Sequence, residues 1–125
     1  IRTDEPARHK MEAEYVEIAP DAAELINGAE RVFGVGTSVA RSLESAASHD
    51  QPELNAFSGF TELFIFPGYQ FRIVDYLLTN FHLPCSTPLL LVCAFAGRDL
   101  IFKAYEEAIA NQYRFLSYGD AMLIL

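Results

Sequence analysis

A chain of 125 residues has room for one domain, which at this size buries roughly two-thirds of its unfolded surface. Its net charge of −8 is uneven, with five bases against twelve acids in residues 1–62 and four against five in residues 63–125. Phosphate-backbone binding needs a basic face, which this segment alone does not supply.

The longest apolar run, Pro88 to Gly97, is about half of the roughly 20 residues that span a bilayer. No basic stretch followed by an apolar one opens the sequence, so no secretory leader is expected and the expected location is cytoplasmic. Cys85 and Cys93 form neither a disulfide framework nor a metal motif, and no HxxxH, HxH or CxxC spacing occurs. No metal is therefore expected. The chain opens on Ile1-Arg2-Thr3 without an initiator methionine, and the expectation is either a trimmed start or a piece of a longer polypeptide.

Residues 1–10 are polar and predict a linker or edge segment. Met11 to Ile18 alternates apolar and acidic residues, the pattern of a half-buried strand. Asp21 with Glu24 three residues on predicts a capping box and a short helix ending near Asn27-Gly28. Arg31 to Gly36 is a short apolar run and predicts a buried strand. Thr37 or Ser38 then caps a helix with Val39, Ala40, Leu43, Ala46 and Ala47 at helical spacing. Ser48 to Ser58 predicts a loop, and strands are expected at Phe60–Phe66 and Phe71–Leu78 on either side of Pro67-Gly68. Ser86 or Thr87, followed by Pro88, starts a buried helix that stops at Gly97. Asp99 caps the next, with Leu100, Ile101, Ala104, Tyr105, Ala108 and Ile109 on one stripe. Asp120 to Leu125 predicts a last buried strand. Strands alternating with helices predict an α/β fold with a largely parallel sheet, and the few strands leave an edge open to a partner, so a dimer through that edge is possible.

Gly34-Val35-Gly36-Thr37-Ser38 sits where a strand meets a helix. Gly36 permits a tight turn, the helix start offers N–H groups to an anion, and Arg41 lies one turn on. A plain helix cap is the competing reading of the same residues. Asn80-Phe81-His82-Leu83-Pro84 ends a strand before a helix start, at the side of a sheet where α/β sites form. The imidazole of His82 suits acid or base work near neutral pH; a core histidine bonded to backbone is the alternative. Asp75 interrupts an apolar strand, where a carboxylate needs a compensating partner or a chemical role. Pairing with Arg72 or Arg98, fixing the His82 tautomer and serving as the base are the three readings open to it. Ser86 and Thr87 add hydroxyls near the same sheet end, and Asp120, which leads into the last strand, either caps a turn or orients a substrate hydroxyl.

Taken together, HKMEAEY (His9–Tyr15), VGTSVARSLES (Val35–Ser45), PGYQFRIVDYLLTNFHLP (Pro67–Pro84), Ser86-Thr87, AFAGRD (Ala94–Asp99), AYEEAI (Ala104–Ile109) and YRFLSYGDAMLI (Tyr113–Ile124) resemble the S-adenosylmethionine:tRNA ribosyltransferase-isomerases of queuosine biosynthesis. The matches follow the family's order over nearly the whole chain, while the family's N-terminal portion has no counterpart here. The resemblance implies part of a distorted α/β barrel with mostly parallel strands, without the family's inserted β-barrel domain. It implies transfer and rearrangement of the ribosyl group of S-adenosylmethionine onto a 7-aminomethyl-7-deazaguanine at the tRNA wobble position, leaving epoxyqueuosine. On that reading His82 and Asp75 are the catalytic candidates. Gly36, Thr37, Ser38, Arg41, Asn80, Ser86, Thr87 and Asp120 are the substrate-binding candidates. Cys85 stands where the family usually has a basic residue, and Ser38 replaces a usual threonine. A non-catalytic nucleotide-binding or interaction domain is the competing reading.

Overall fold

The computed structural model describes residues 13–47, 53–83, 86–116 and 119–125. The elements run β1 (Glu14–Ile18), α1 (Pro20–Gly28), β2 (Phe33–Val35), α2 (Thr37–Ala46), β3 (Phe57–Thr61), β4 (Tyr76–Asn80), α3 (Thr87–Ala96), α4 (Arg98–Ala110) and β5 (Ala121–Ile124). They build two small sheets. β1 pairs with β3 antiparallel, with Val16 opposite Gly59. The second sheet has the order β2-β4-β5. In it β2 and β4 are parallel, with Gly34 opposite Leu77, and β4 and β5 antiparallel, with Leu78 opposite Leu123.

The mixed α/β class agrees with the sequence, whereas the mostly parallel sheet is corrected. Among the described residues only β2 and β4 run parallel, and the strands do not form a run of parallel barrel staves. The physical reason lies in the connections. One crossover helix returns the chain in its starting direction, but α3 and α4 pack as a pair between β4 and β5 and bring the last strand back reversed. β5 is also less buried than expected: Ala121 and Leu123 are exposed, and only Met122 and Ile124 are partly covered. Among the described residues it is bonded to β4 alone.

Helix starts follow local chemistry. α1 begins on Pro20, which supplies a helical φ at the first turn; no side chain caps it, and Asp21 Oδ1 instead accepts the adjacent Ala22 N–H at 2.9 Å. The Asp21/Glu24 capping box therefore does not form. Gly36 (φ 96°) and Gly97 (φ 93°) occupy the N-cap positions of α2 and α4, conformations that a side chain opposes. They displace Thr37, Ser38 and Asp99 from the capping role. α3 starts as expected, with the Ser86 hydroxyl accepting the Leu89 N–H. In α4 the buried stripe is Ile101, Tyr105 and Ala108, while Leu100 and Ile109 face solvent.

The core lies between the helices and the three-stranded sheet, around Leu54, Leu77, Val92 and Ile101, all essentially without solvent contact. Each contributes about 1.5–3 kcal/mol by burial. Leu54 belongs to the expected loop, yet it is buried and held at both backbone atoms by Asn27: its N–H donates to Asn27 Oδ1 and its carbonyl accepts from Asn27 Nδ2, each at 2.7 Å.

The strand expected at Phe71–Leu78 starts later than predicted, and α2 is the reason. Glu44, buried in α2, places its carboxylate against the segment before β4. Oε1 accepts from the Arg72 N–H at 2.8 Å and the Tyr69 hydroxyl at 3.0 Å; Oε2 accepts from the N–H groups of Ile73 at 2.8 Å and Val74 at 3.0 Å. Those amides bond to a side chain rather than to a strand, so β4 starts at Tyr76, not at Phe71. Burial, together with the Glu44 carboxylate, pushes the Tyr69 phenol well above its usual range, so it stays a neutral donor. Replacing Glu44 with alanine strands these donors and is expected to cost about 3 kcal/mol or more, since each orphaned buried group costs roughly 1–3 kcal/mol; Glu44→Gln, which keeps one acceptor oxygen, should lose less. Urea unfolding followed by circular dichroism measures this, and a loss below about 1 kcal/mol for Glu44→Ala contradicts the assignment.

Candidate active site

Because β2 and β4 are parallel, the segments leaving them emerge at the same end of the sheet. β2 ends at Val35, the Gly36 N–H closes the ladder on the Leu78 carbonyl at 2.8 Å, and α2 begins at Thr37. β4 ends at Asn80 and the chain reaches α3 at Thr87. The first turns of both helices, Thr37-Ser38 and Thr87-Pro88, border one cavity of about 220 Å³. No side chain caps α2, so its first-turn N–H groups and partial positive charge stand beside these hydroxyls. Leu63, Phe64, Ile65 and Leu91 form the apolar walls, and Glu14 and Arg41 complete the lining.

Arg41 is buried, and its guanidinium binds protein atoms. Nε donates to the Leu63 carbonyl at 2.8 Å, Nη2 to the Thr61 carbonyl at 3.1 Å, and Nη1 to Glu14 Oε2 at 2.5 Å. It thus ties α2 to both strands of the small sheet and fixes a carboxylate at the cavity. Glu14 is a residue that sequence reasoning missed. The alternation of MEAEY sets it on the exposed face of β1, but nothing local reveals the arginine 27 positions away.

The remaining candidates lie apart from this lining. His82 is half-buried, its Nε2 2.8 Å from the Thr79 hydroxyl, and its backbone N–H donates to the Tyr105 hydroxyl at 2.8 Å. Burial lowers the imidazole pKa below its ordinary value, so the ring is neutral at pH 7. Burial raises that of Tyr105. Asn80 Nδ2 donates to the Asp120 carbonyl at 3.2 Å. The Asp120 carboxylate accepts the Arg114 N–H at 2.7 Å, closing the turn before β5. Ser86 is spent on the α3 start: its hydroxyl donates to the Leu83 carbonyl at 2.6 Å. Asp75 is corrected. Its Oδ2 accepts the Val32 N–H at 2.8 Å just ahead of β4, whereas His82 lies beyond the other end of that strand. The pair is separated by a strand of five residues, about 16 Å of extended chain, so Asp75 does not set the imidazole tautomer. It joins β2 to β4. Cys85 and His9 lie outside the described residues.

The sequence profile of a family described as queuosine biosynthesis protein matches residues 1–124. The chain belongs to that family. A Symbiobacterium thermophilum member named S-adenosylmethionine:tRNA ribosyltransferase-isomerase is 50% identical over all of this chain and 38% of its own length. A Ralstonia pickettii protein of the same name is 55% identical over 99% of this chain and 35% of its own length. The crystal structure of an S-adenosylmethionine tRNA ribosyltransferase from Thermotoga maritima superposes with a TM-score of 0.81 at 45% identity, over 87% of this chain and 39% of that one. The chain therefore spans a little over a third of these queuosine biosynthesis relatives. Among its described residues no group of three or more metal-ligating side chains converges, and no helix is long and apolar enough to cross a membrane.

The lowered pKa of His82 makes a testable stability signature for this family member. Above about pH 7 the imidazole is neutral in folded and unfolded chains alike and contributes no pH dependence. Below about 6.5 the unfolded chain takes up a proton that the folded chain resists, so stability falls as pH falls. In His82→Gln that component is missing. The stability of the wild type relative to the variant should hold constant from pH 8 to 7 and decline toward pH 5, read from urea midpoints. A difference that stays flat or moves the other way contradicts the buried, neutral imidazole.

Proposed function

We propose that this chain forms part of the catalytic domain of an enzyme that moves the ribosyl group of S-adenosylmethionine onto a 7-aminomethyl-7-deazaguanine at the tRNA wobble position and isomerises it to epoxyqueuosine. The observation that carries this reading is the hydroxyl-lined cavity where two helices begin at the end of the parallel β2–β4 pair, in a chain whose relatives bear the ribosyltransferase-isomerase name. Thr37, Ser38 and Thr87 supply hydroxyls and Gly36 the turn that brings the α2 start to the ligand. Arg41 acts through Glu14 rather than on an anion. His82 is the proposed base for a proton beside the sulfonium, with Asn80, Ser86 and Asp120 shaping the segment around it. A neutral imidazole at pH 7 is a form that accepts a proton, and the Asp75 carboxylate is engaged by the Val32 N–H at the other end of β4.

In this reading the two sheets belong to the distorted barrel of a cytoplasmic, tRNA-binding protein. Its basic surface comes from regions other than this acid-rich segment, which by itself should release no adenine. The test is adenine release from S-adenosylmethionine with precursor tRNA by the polypeptide at the full length of its relatives. The expected result is turnover by that protein and none by residues 1–125. His82→Ala should lower kcat by about 100-fold or more with little change in affinity for S-adenosylmethionine. Turnover by the short chain, or an unchanged kcat in folded His82→Ala, contradicts the corresponding part of the proposal.

A further inference from the structure

The cavity at the α2 and α3 starts has a chemically mixed lining. Thr37, Ser38 and Thr87 bring hydroxyls to it, Glu14 a carboxylate, and Leu63 and Leu91 apolar walls. Glu14 is held rather than floating. Its Oε2 is bound by the Arg41 guanidinium, itself fixed on the Thr61 and Leu63 carbonyls. The side chain of Glu14 remains 45% exposed, that of Arg41 only 7%. Oε1 of Glu14 carries no hydrogen bond among the described residues and is left to accept one. A volume of about 220 Å³ falls below the roughly 300–1,000 Å³ of pockets that enclose a whole drug-sized ligand, so only one part of a nucleoside conjugate fits.

We infer that this cavity takes the amino-acid end of S-adenosylmethionine, with the α-ammonium on Glu14 and the α-carboxylate against the hydroxyls of Thr37, Ser38 and Thr87. The inference rests on the functional reading above and adds a position and an orientation to it. A fixed carboxylate with one oxygen left to accept suits a partner that donates, and an ammonium donates where a sulfonium does not. The hydroxyls donate to a carboxylate, and the uncapped start of α2 adds to the attraction. The apolar walls suit the methylene chain that joins the two charged groups to sulfur. A ribose, with hydroxyls on every side, would leave those walls unused. The adenosine part then projects from the cavity, which leaves the ribose outside it for reaction.

The test uses the polypeptide at the full length of its relatives and calorimetric binding of three probes: S-adenosylmethionine, its decarboxylated analogue and its deaminated analogue. The wild type should bind each analogue about 10- to 100-fold more weakly than the parent. Glu14→Gln, which keeps an oxygen for Arg41, should abolish discrimination against the deaminated probe alone. The Thr37→Val, Thr87→Val double variant should reduce discrimination against the decarboxylated probe alone. Thermal melts confirm that each variant folds, and the wild-type comparison needs no variant at all. Equal binding of all three probes by the wild type overturns this inference and leaves the functional reading standing, as does a uniform loss for all probes in folded Glu14→Gln. No binding of S-adenosylmethionine by the wild type overturns the functional reading itself.

Discussion

Two charged side chains on the inner face of α2, Arg41 and Glu44, replace the hydrogen-bond ladder that the surrounding segments would otherwise need. Burying a charge is unfavourable unless its hydrogen bonds are satisfied, and both of these are heavily engaged. The Glu44 carboxylate gathers three consecutive amides and a phenol; the Arg41 guanidinium gathers two carbonyls and a carboxylate. Bonds of this charge-assisted kind contribute about 1.5–3 kcal/mol each, enough together to offset desolvation of several kcal/mol per ion. The pair also has a geometric effect. It anchors residues 61–63 through Arg41 and residues 69–74 through Glu44, so the helix positions the chain before and after the Pro67-Gly68 turn.

The same wiring shapes the candidate site. Leu63 belongs to a cavity wall and its carbonyl is a ligand of Arg41, while Glu14 is oriented by that same guanidinium. Polar groups held by the fold before a ligand arrives need no reorganisation when it binds, which is the general condition for strong polar recognition. His82 is secured separately, between the Thr79 hydroxyl and the Tyr105 hydroxyl. In the proposed function, substrate recognition and proton transfer would thus rest on different supports: the α2 charges for the first, the end of β4 with α4 for the second.

Much of this was legible in the sequence where local chemistry decides it. Ser86 with Pro88 and the stop at Gly97 gave α3 its bounds, and Gly36 between an apolar run and a hydroxyl pair marked the turn into α2. The chain was less legible where distant side chains decide. Phe71 to Leu78 has the composition of a strand, but its first amides are claimed by Glu44, some 28–30 residues earlier. One signal for Glu44 did exist. It lies four residues after Ala40 and one after Leu43, among the buried positions of α2, so a carboxylate there had to find donors. Glu14 gave no such signal, because its role depends on β1 meeting β3 beside α2. The direction of β5 was hidden for a similar reason: the pattern shows two helices before it but not that they pack as a pair.

The central claim is that the walls set by α2 enclose the amino-acid end of S-adenosylmethionine. The most direct measurement is a crystal structure of the polypeptide at the full length of its relatives, with that compound bound. The expected result is density for the α-carboxylate beside Thr37, Ser38 and Thr87 and for the α-ammonium within hydrogen-bond distance of Glu14, with Glu14 still on Arg41. Density for the amino-acid end elsewhere, with this cavity holding solvent or another protein segment, would contradict it.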